Sequence, residues 1–264
     1  MTEEKITDEE MTDEEMTDER PTIDMRLTAH DQAVLLMASW IAAIADQVKN
    51  PVAGISAAAG LIEKQMTSFR ASQQWDPAIV EEAVRLMLER LSRFDNYLAE
   101  LSGFTRPAET HSKWFDLSQE WPGIEQFLAR RVAANFKLHI KFSASPMIYG
   151  DIERVKSVFA VAILNAVEAC GSTINPEINV WVDHVLPSAD VVGGCRISVT
   201  DNGPGFTKDA LVQGLIPFFT TKEAGTGLGL AMAEKYVRAH GGRVKIDNGA
   251  TGGVVEMLFP SPEA

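Results

Sequence analysis

The chain has 264 residues, is 45% hydrophobic and carries a formal charge of −13. That is enough apolar material for one large or two ordinary domains. The acidic balance, with no cluster of Lys and Arg, argues against nucleic acid as a partner, and the only cysteines, Cys170 and Cys195, have no metal-ligand neighbours and read as buried thiols of a reducing compartment.

Much of the charge sits at the front. Met1 to Arg20 holds ten acidic residues against Lys5 and Arg20, in the repeat ITDEE, MTDEE, MTDER. Such a segment buries too little surface to offset the entropy of ordering, so residues 1–26 are expected to be a disordered acidic tail, either a solvating leader or a mask for a basic surface. The longest apolar run, Ala33 to Ala45, falls short of the roughly 20 residues a membrane span requires. With no signal-peptide pattern, a cytoplasmic protein is expected.

Residues 27–106 read as a helical hairpin. Val34, Ile41, Val48, Ile55, Ile62 and Phe69 recur every seventh position, and Val84, Leu91 and Leu98 repeat the device after Asp76-Pro77, a helix-start signal. A hairpin cannot bury both seams alone, which predicts a homodimer through a four-helix bundle. From residue 107 to 264 the pattern becomes mixed. Strands are expected in WFDLS, KLHIKF, INVWVDHV, CRISVTD, RVKIDN and VVEMLFP, and helices near Ile124–Ala134, Asp151–Ala169 and Gly227–His240. The fold class is α+β: the hairpin, then an α/β sandwich with helices over one face of a mixed sheet.

Three segments of the second domain point to a nucleotide. Asn165 lies within ILNAVEA on a helical pattern. The strand ending at Asp201 runs into DNGPGF, where the carboxylate can accept a hydrogen bond from an exocyclic amine and Gly203 and Gly205 let backbone approach a ligand. In PFFTTKEAGTGLGLAMAEKY, Gly225, Gly227 and Gly229 lead into a helix whose positive end suits phosphate, at neither dinucleotide nor Walker spacing.

In this order the segments resemble the ATP-binding domain of sensor histidine kinases, whose wider family includes gyrase, the mismatch-repair ATPases and a heat-shock chaperone. Asn165 matches the N box, Asp201 to Gly205 the first glycine box, Pro217 to Lys222 the F box, and Gly225 to Gly229 the second glycine box. The resemblance covers about Trp114 to Pro260 and is closest to kinases of the nitrogen-regulation type. It implies that Asn165 coordinates Mg²⁺ and that Asp201 fixes adenine. Lys222, Thr226 and the backbone of Gly225, Gly227, Leu228 and Gly229 would hold the phosphates of ATP, under a short mobile lid from Phe206 to Ala224. Val161 stands where the gyrase branch has its general-base Glu, which disfavours hydrolysis by an activated water.

The resemblance extends into the hairpin. The kinase H box runs His, Glu, apolar, basic, Asn or Thr, Pro, apolar, and here the positions read Asp46, Gln47, Val48, Lys49, Asn50, Pro51, Val52. The phosphoacceptor histidine is absent. Pro51 removes the N–H that would bond the carbonyl of Gln47 and is expected to bend the helix. Asp46 and Asn50 share the outward face. A carboxylate is a poor nucleophile towards an anionic phosphate, and Gln47 cannot act as base. His30, His111, His139, His184 and His240 sit in contexts that read as structural.

The expectation is a pseudokinase of a two-component pathway that binds ATP and Mg²⁺ without phosphorylating itself. Three uses stay open. Asp46 and Asn50 resemble the acid-plus-amide pair of receiver phosphatases; the ATP site could phosphorylate a histidine of a partner kinase; or the protein could be an ATP-gated scaffold for a response-regulator receiver domain. An engineered His-to-Asp form of an ordinary kinase fits as well. Readings from other classes are a stand-alone gyrase-type ATPase, disfavoured by Val161 and the hairpin, a serine kinase of an anti-sigma partner, and a binding module without nucleotide.

Overall fold

A computed structural model describes residues 29–108, 111–129, 136–143, 146–187, 193–222 and 225–261, with side chains from residue 34 onward in the first helix. The acidic tail lies outside the described residues. The chain divides into two compact units, Met1–Ser39 and Trp40–Ala264. Of the first, the start of helix α1 is described, and Val34, Leu35, Leu36 and Met37 there are exposed.

Helix α1 (Ala29–Ser72) runs without a break through Pro51. Helix α2 (Pro77–Thr105) begins where the Asp76 side chain accepts from Ala78 N and Pro77 occupies a first-turn position whose missing N–H costs nothing. Ala58 and Ala83 are buried, and Gly54 lies beside the Arg90 side chain.

Strand β1 (Lys113–Asp116) pairs antiparallel with β3 (Met147–Gly150) in a small ribbon. Between them come helix α3 (Leu117–Ala129) and strand β2 (Lys137–Phe142). Helix α4 (Ile152–Ala169) precedes the long strands β4 (Glu177–Val185) and β5 (Gly194–Asp201). A short helix α5 (Lys208–Gln213), helix α6 (Gly229–Ala239) and strands β6 (Arg243–Asn248) and β7 (Gly253–Pro260) complete the chain. The main sheet has the order β2-β4-β5-β7-β6, with β2 and β4 parallel and every other neighbour antiparallel.

The core forms between this sheet and α3, α4 and α6. Alternation along the strands turns Ile178, Val180 and Val182 of β4 and Ile197 and Val199 of β5 inward. They meet the apolar stripe of α4, including Val155, Phe159 and Ile163. Cys170 and Cys195 are buried thiols, and burial pushes the Cys195 thiol up to about 12. Among the described residues no helix is long and apolar enough to cross a membrane.

The structure departs from the sequence reading in four places. WFDLS is strand only to Asp116, because the Asp116 carboxylate accepts from Ser118 N at 2.9 Å and starts α3. The helix expected near Ile124–Ala134 therefore runs earlier, with residues 130–135 outside the described set. Strand β3 and helix α5 were not anticipated.

Candidate functional site

A cleft of about 470 Å³ opens between α4, the end of β5, and the segments around Lys222 and Thr226. Helix α4 presents Val161, Asn165 and Glu168 to it, positions spaced by four and three residues and so on one helical face. The inward stripe of the same helix locks that face in place by packing on the sheet.

Asp201 ends β5 at 7% exposure. Its Oδ1 accepts from Gly203 N at 2.8 Å and Gly253 N at 3.1 Å, while Oδ2 accepts no hydrogen bond from the described residues. A buried carboxylate with one oxygen fixed by backbone and the other unpaired is set to receive a ligand N–H. Gly253 is required there, since a Cβ would come within 2.8 Å of Asp201 Oδ2 and 3.1 Å of the Phe206 ring.

On the opposite side, Lys222 Nζ donates to Asn165 Oδ1 at 2.8 Å and pairs with Glu168 Oε2 at 2.6 Å. Thr226 Oγ1 accepts from Leu228 N at 3.3 Å and donates to Glu100 Oε2 of α2 at 2.6 Å. Gly227 sits at φ +67°, and a Cβ there would lie 2.4 Å from the backbone of Phe218, whose N–H donates to Gly227 O. The F box and the glycine loop are thus tied backbone to backbone. Helix α6 follows with no side-chain cap at Leu228, so its first N–H groups are free to serve an anion, and Gly229 and Leu230 line the cleft.

Of the sequence candidates, the fold brings Asn165, Asp201, Gly205, Lys222, Gly225, Thr226, Gly227 and Gly229 to the cleft. Gly203 and Leu228 act from behind its wall, through the backbone bonds to Asp201 and Thr226. Asp46 and Asn50 are exposed one turn apart on α1 and do not line the cleft, whereas Gln47 Nε2 donates to Gly225 O at 3.1 Å. Sequence reasoning missed Glu100, Glu168, Gly253 and Asn248. Asn248 accepts from Phe206 N at 2.6 Å and donates to Phe206 O at 2.8 Å, pinning the start of the expected lid. His240 is structural: its Nε2 accepts from Asp151 N at 2.9 Å and its Nδ1 meets Tyr236 O at 2.6 Å.

The residues present suit Mg²⁺. No group of three or more acidic, His or Cys side chains gathers among the described residues, yet Mg²⁺ bound with a nucleotide takes most of its oxygens from phosphate and water, and the Asn165 carbonyl oxygen would suffice as a protein contact.

Residues 150–263 match the family of histidine kinase-, DNA gyrase B-, and HSP90-like ATPases. That stretch is similar to the ATP-binding domain of those proteins. The similarity reaches beyond that domain. Sensor histidine kinase ZraS of Klebsiella oxytoca is 29% identical over 235 residues, covering 88% of this chain and 47% of that protein. Sensory histidine kinase/phosphatase NtrB of Rhizobium leguminosarum bv. phaseoli is 25% identical over 248 residues, covering 90% of this chain and 62% of that protein. The chain thus spans about half to three fifths of these relatives' length. In fold, a crystal structure of histidine kinase ThkA in complex with response regulator protein TrrA covers 89% of this chain and 64% of that one, at TM-score 0.66 and 20% identity. The hairpin-plus-sandwich architecture therefore shares the fold of that kinase, with the sandwich at its C-terminal side.

Proposed function

We propose that the protein is a homodimeric, cytoplasmic pseudokinase of a two-component pathway, which binds ATP with Mg²⁺ and acts on a response-regulator receiver domain without phosphorylating itself. Asp201 takes the adenine amine. Lys222, Thr226, the loop backbone and the uncapped start of α6 take the phosphates. Asn165 supplies the protein oxygen for Mg²⁺.

The observation that carries this reading is the contrast between a full set of nucleotide groups in the cleft and a carboxylate, Asp46, at the acceptor position. Phosphorylation of a ring nitrogen has no substrate at that position. Exposure of Asp46 and Asn50 on one face of α1 favours a phosphatase over a passive scaffold: the Asn50 amide orients a water at an aspartyl phosphate, Asp46 takes its proton, and the receiver aspartate leaves as carboxylate.

The test is transfer of label from γ-labelled ATP with Mg²⁺ to the native protein and to Asp46→His, each with and without Asn165→Ala. Labelling of Asp46→His alone, abolished by Asn165→Ala, is the expected result. Stable labelling of the native protein overturns the reading. Phosphate release from a phosphorylated receiver, faster with native protein than with Asn50→Ala, separates phosphatase from scaffold.

A further inference from the structure

Glu100 lines the cleft but belongs to the hairpin. It lies in the closing turns of α2, 126 positions before Thr226, and its carboxylate takes the 2.6 Å hydrogen bond from the Thr226 hydroxyl. A hydroxyl has one proton to donate, so this one is committed to Glu100. From the other helix, Gln47 donates to the carbonyl of the preceding residue, Gly225. Both helices of the hairpin therefore hold the one loop that a phosphate chain would use.

A second set of contacts joins the same two parts without touching the cleft. Lys235 of α6 donates to the carbonyls of Gly103, Phe104 and Arg106, the last oxygens of α2 and its cap, which have no partner within the helix. The Phe104 ring lies 5.4 Å from the Lys235 ammonium and 6.4 Å from the Phe218 ring. A nucleotide competes for none of these groups. The two sets thus differ in kind: one is indifferent to ligand, the other occupies ligand-binding atoms with a like-charged group.

We infer that Glu100 is a tethered anion that competes with the phosphates of the nucleotide for Thr226, so that triphosphate binding and docking of the hairpin on the glycine loop exclude one another, with Lys235 as the pivot that stays engaged. The inference rests on the ATP-binding reading. Phosphate oxygens near Thr226 meet the Glu100 carboxylate as a like charge at hydrogen-bond range, well inside a Debye length, and find the hydroxyl proton already taken. The other two cleft carboxylates, Glu168 on α4 and Asp201 at the end of β5, bond within the C-terminal domain and, among the described residues, make no hydrogen bond to the hairpin.

The test uses the full chain and a ribose-labelled fluorescent ATP analogue with Mg²⁺, displaced in turn by ATP, ADP and adenosine. Native protein is compared with Glu100→Gln, which removes the charge, and Glu100→Ala, which removes charge and acceptor. Glu100 is exposed, so both variants are expected to fold, and a thermal melt checks that. ATP is expected to bind the Ala variant about tenfold more tightly than native protein, the scale of one charge-assisted hydrogen bond. Glu100→Gln should gain less, ADP less than ATP, and adenosine nothing. Unchanged ATP affinity in both variants overturns the inference while leaving ATP binding intact. An equal gain for ATP and adenosine also overturns it, because general opening of the cleft is not competition for phosphate. Failure of native protein and both variants to bind any of the ligands overturns this inference and the ATP-binding reading together.

Discussion

Lys222 and Asn165 meet across the cleft, the ammonium donating to the amide oxygen at 2.8 Å. That oxygen is the one a nucleotide-bound Mg²⁺ would take, and the ammonium is the cation a phosphate would take, so the pair is a closed form of two ligand contacts. Lys222→Ala is expected to weaken ATP by about tenfold or more, the range of a lost charge-assisted contact, and to leave adenosine unchanged in calorimetric titration. Stability should hardly move. The Lys222 and Glu168 side chains are 37% and 60% exposed, and exposed pairs contribute only about 0–1 kcal/mol.

Asp201→Asn separates base recognition from folding. The amide oxygen can still accept from Gly203 and Gly253, so the turn should persist, but the second position becomes a donor that would face the amine of a bound adenine. We expect ATP affinity to fall by about tenfold to a hundredfold, the cost of a buried donor left facing a donor, and preference for ATP over inosine triphosphate to narrow or reverse. Competition between the two triphosphates for the fluorescent analogue measures both.

The order of the motifs makes this cleft legible in the sequence, because the backbone geometry they need is written in Gly and Asp at short spacing. Gly227 illustrates the point: its positive φ and its contact with Phe218 admit no side chain. What stayed hidden depends on distance in the chain or on brevity. Glu100 reaches Thr226 only through tertiary docking, and nothing local to either residue signals the other. Gly253 reads locally as part of a turn, and its need for glycine comes from Asp201 on a neighbouring strand. Strand β3 has four residues and α5 six, too few for periodicity to register. At Leu117 an apolar residue that fits a strand pattern became helix because of the Asp116 carboxylate beside it.

Asp151 makes a prediction about pH. Its carboxylate accepts from Glu153 N, Arg154 N and His111 N at 3.0, 3.2 and 3.0 Å, capping the helix that carries Asn165. Burial pushes the carboxyl up, but those donors and the Arg154 charge outweigh it and hold the group below its ordinary range. A depressed acid contributes stability above its unfolded value, about 4, and that contribution is lost as pH falls through the lower folded value. Asp151→Ala should cost about 1–2 kcal/mol at neutral pH. Urea unfolding across pH should show the gap between native and variant shrinking below about pH 4; a gap that stays constant would mean the charge is irrelevant to the cap.

The hairpin leaves a seam uncovered. Val84, Leu88, Leu91 and Leu98 of α2 are 42%, 62%, 43% and 43% exposed, at spacings of four, three and seven that place them on one face. Ile41 and Val52 of α1 are 67% and 50% exposed. Fully burying one such side chain is worth about 1.5–3 kcal/mol, so pairing of several across a two-fold axis would give a stable bundle even after the cost of association. Sedimentation equilibrium of the native chain is expected to give twice the 28.9 kDa chain mass. Leu88→Glu with Leu91→Glu places four buried carboxylates in such a bundle and should shift the protein to monomer at micromolar concentration. Neither leucine lines the cleft, so adenosine affinity should be unchanged in that monomer; a dimer that survives both charges would mean the seam is not the interface.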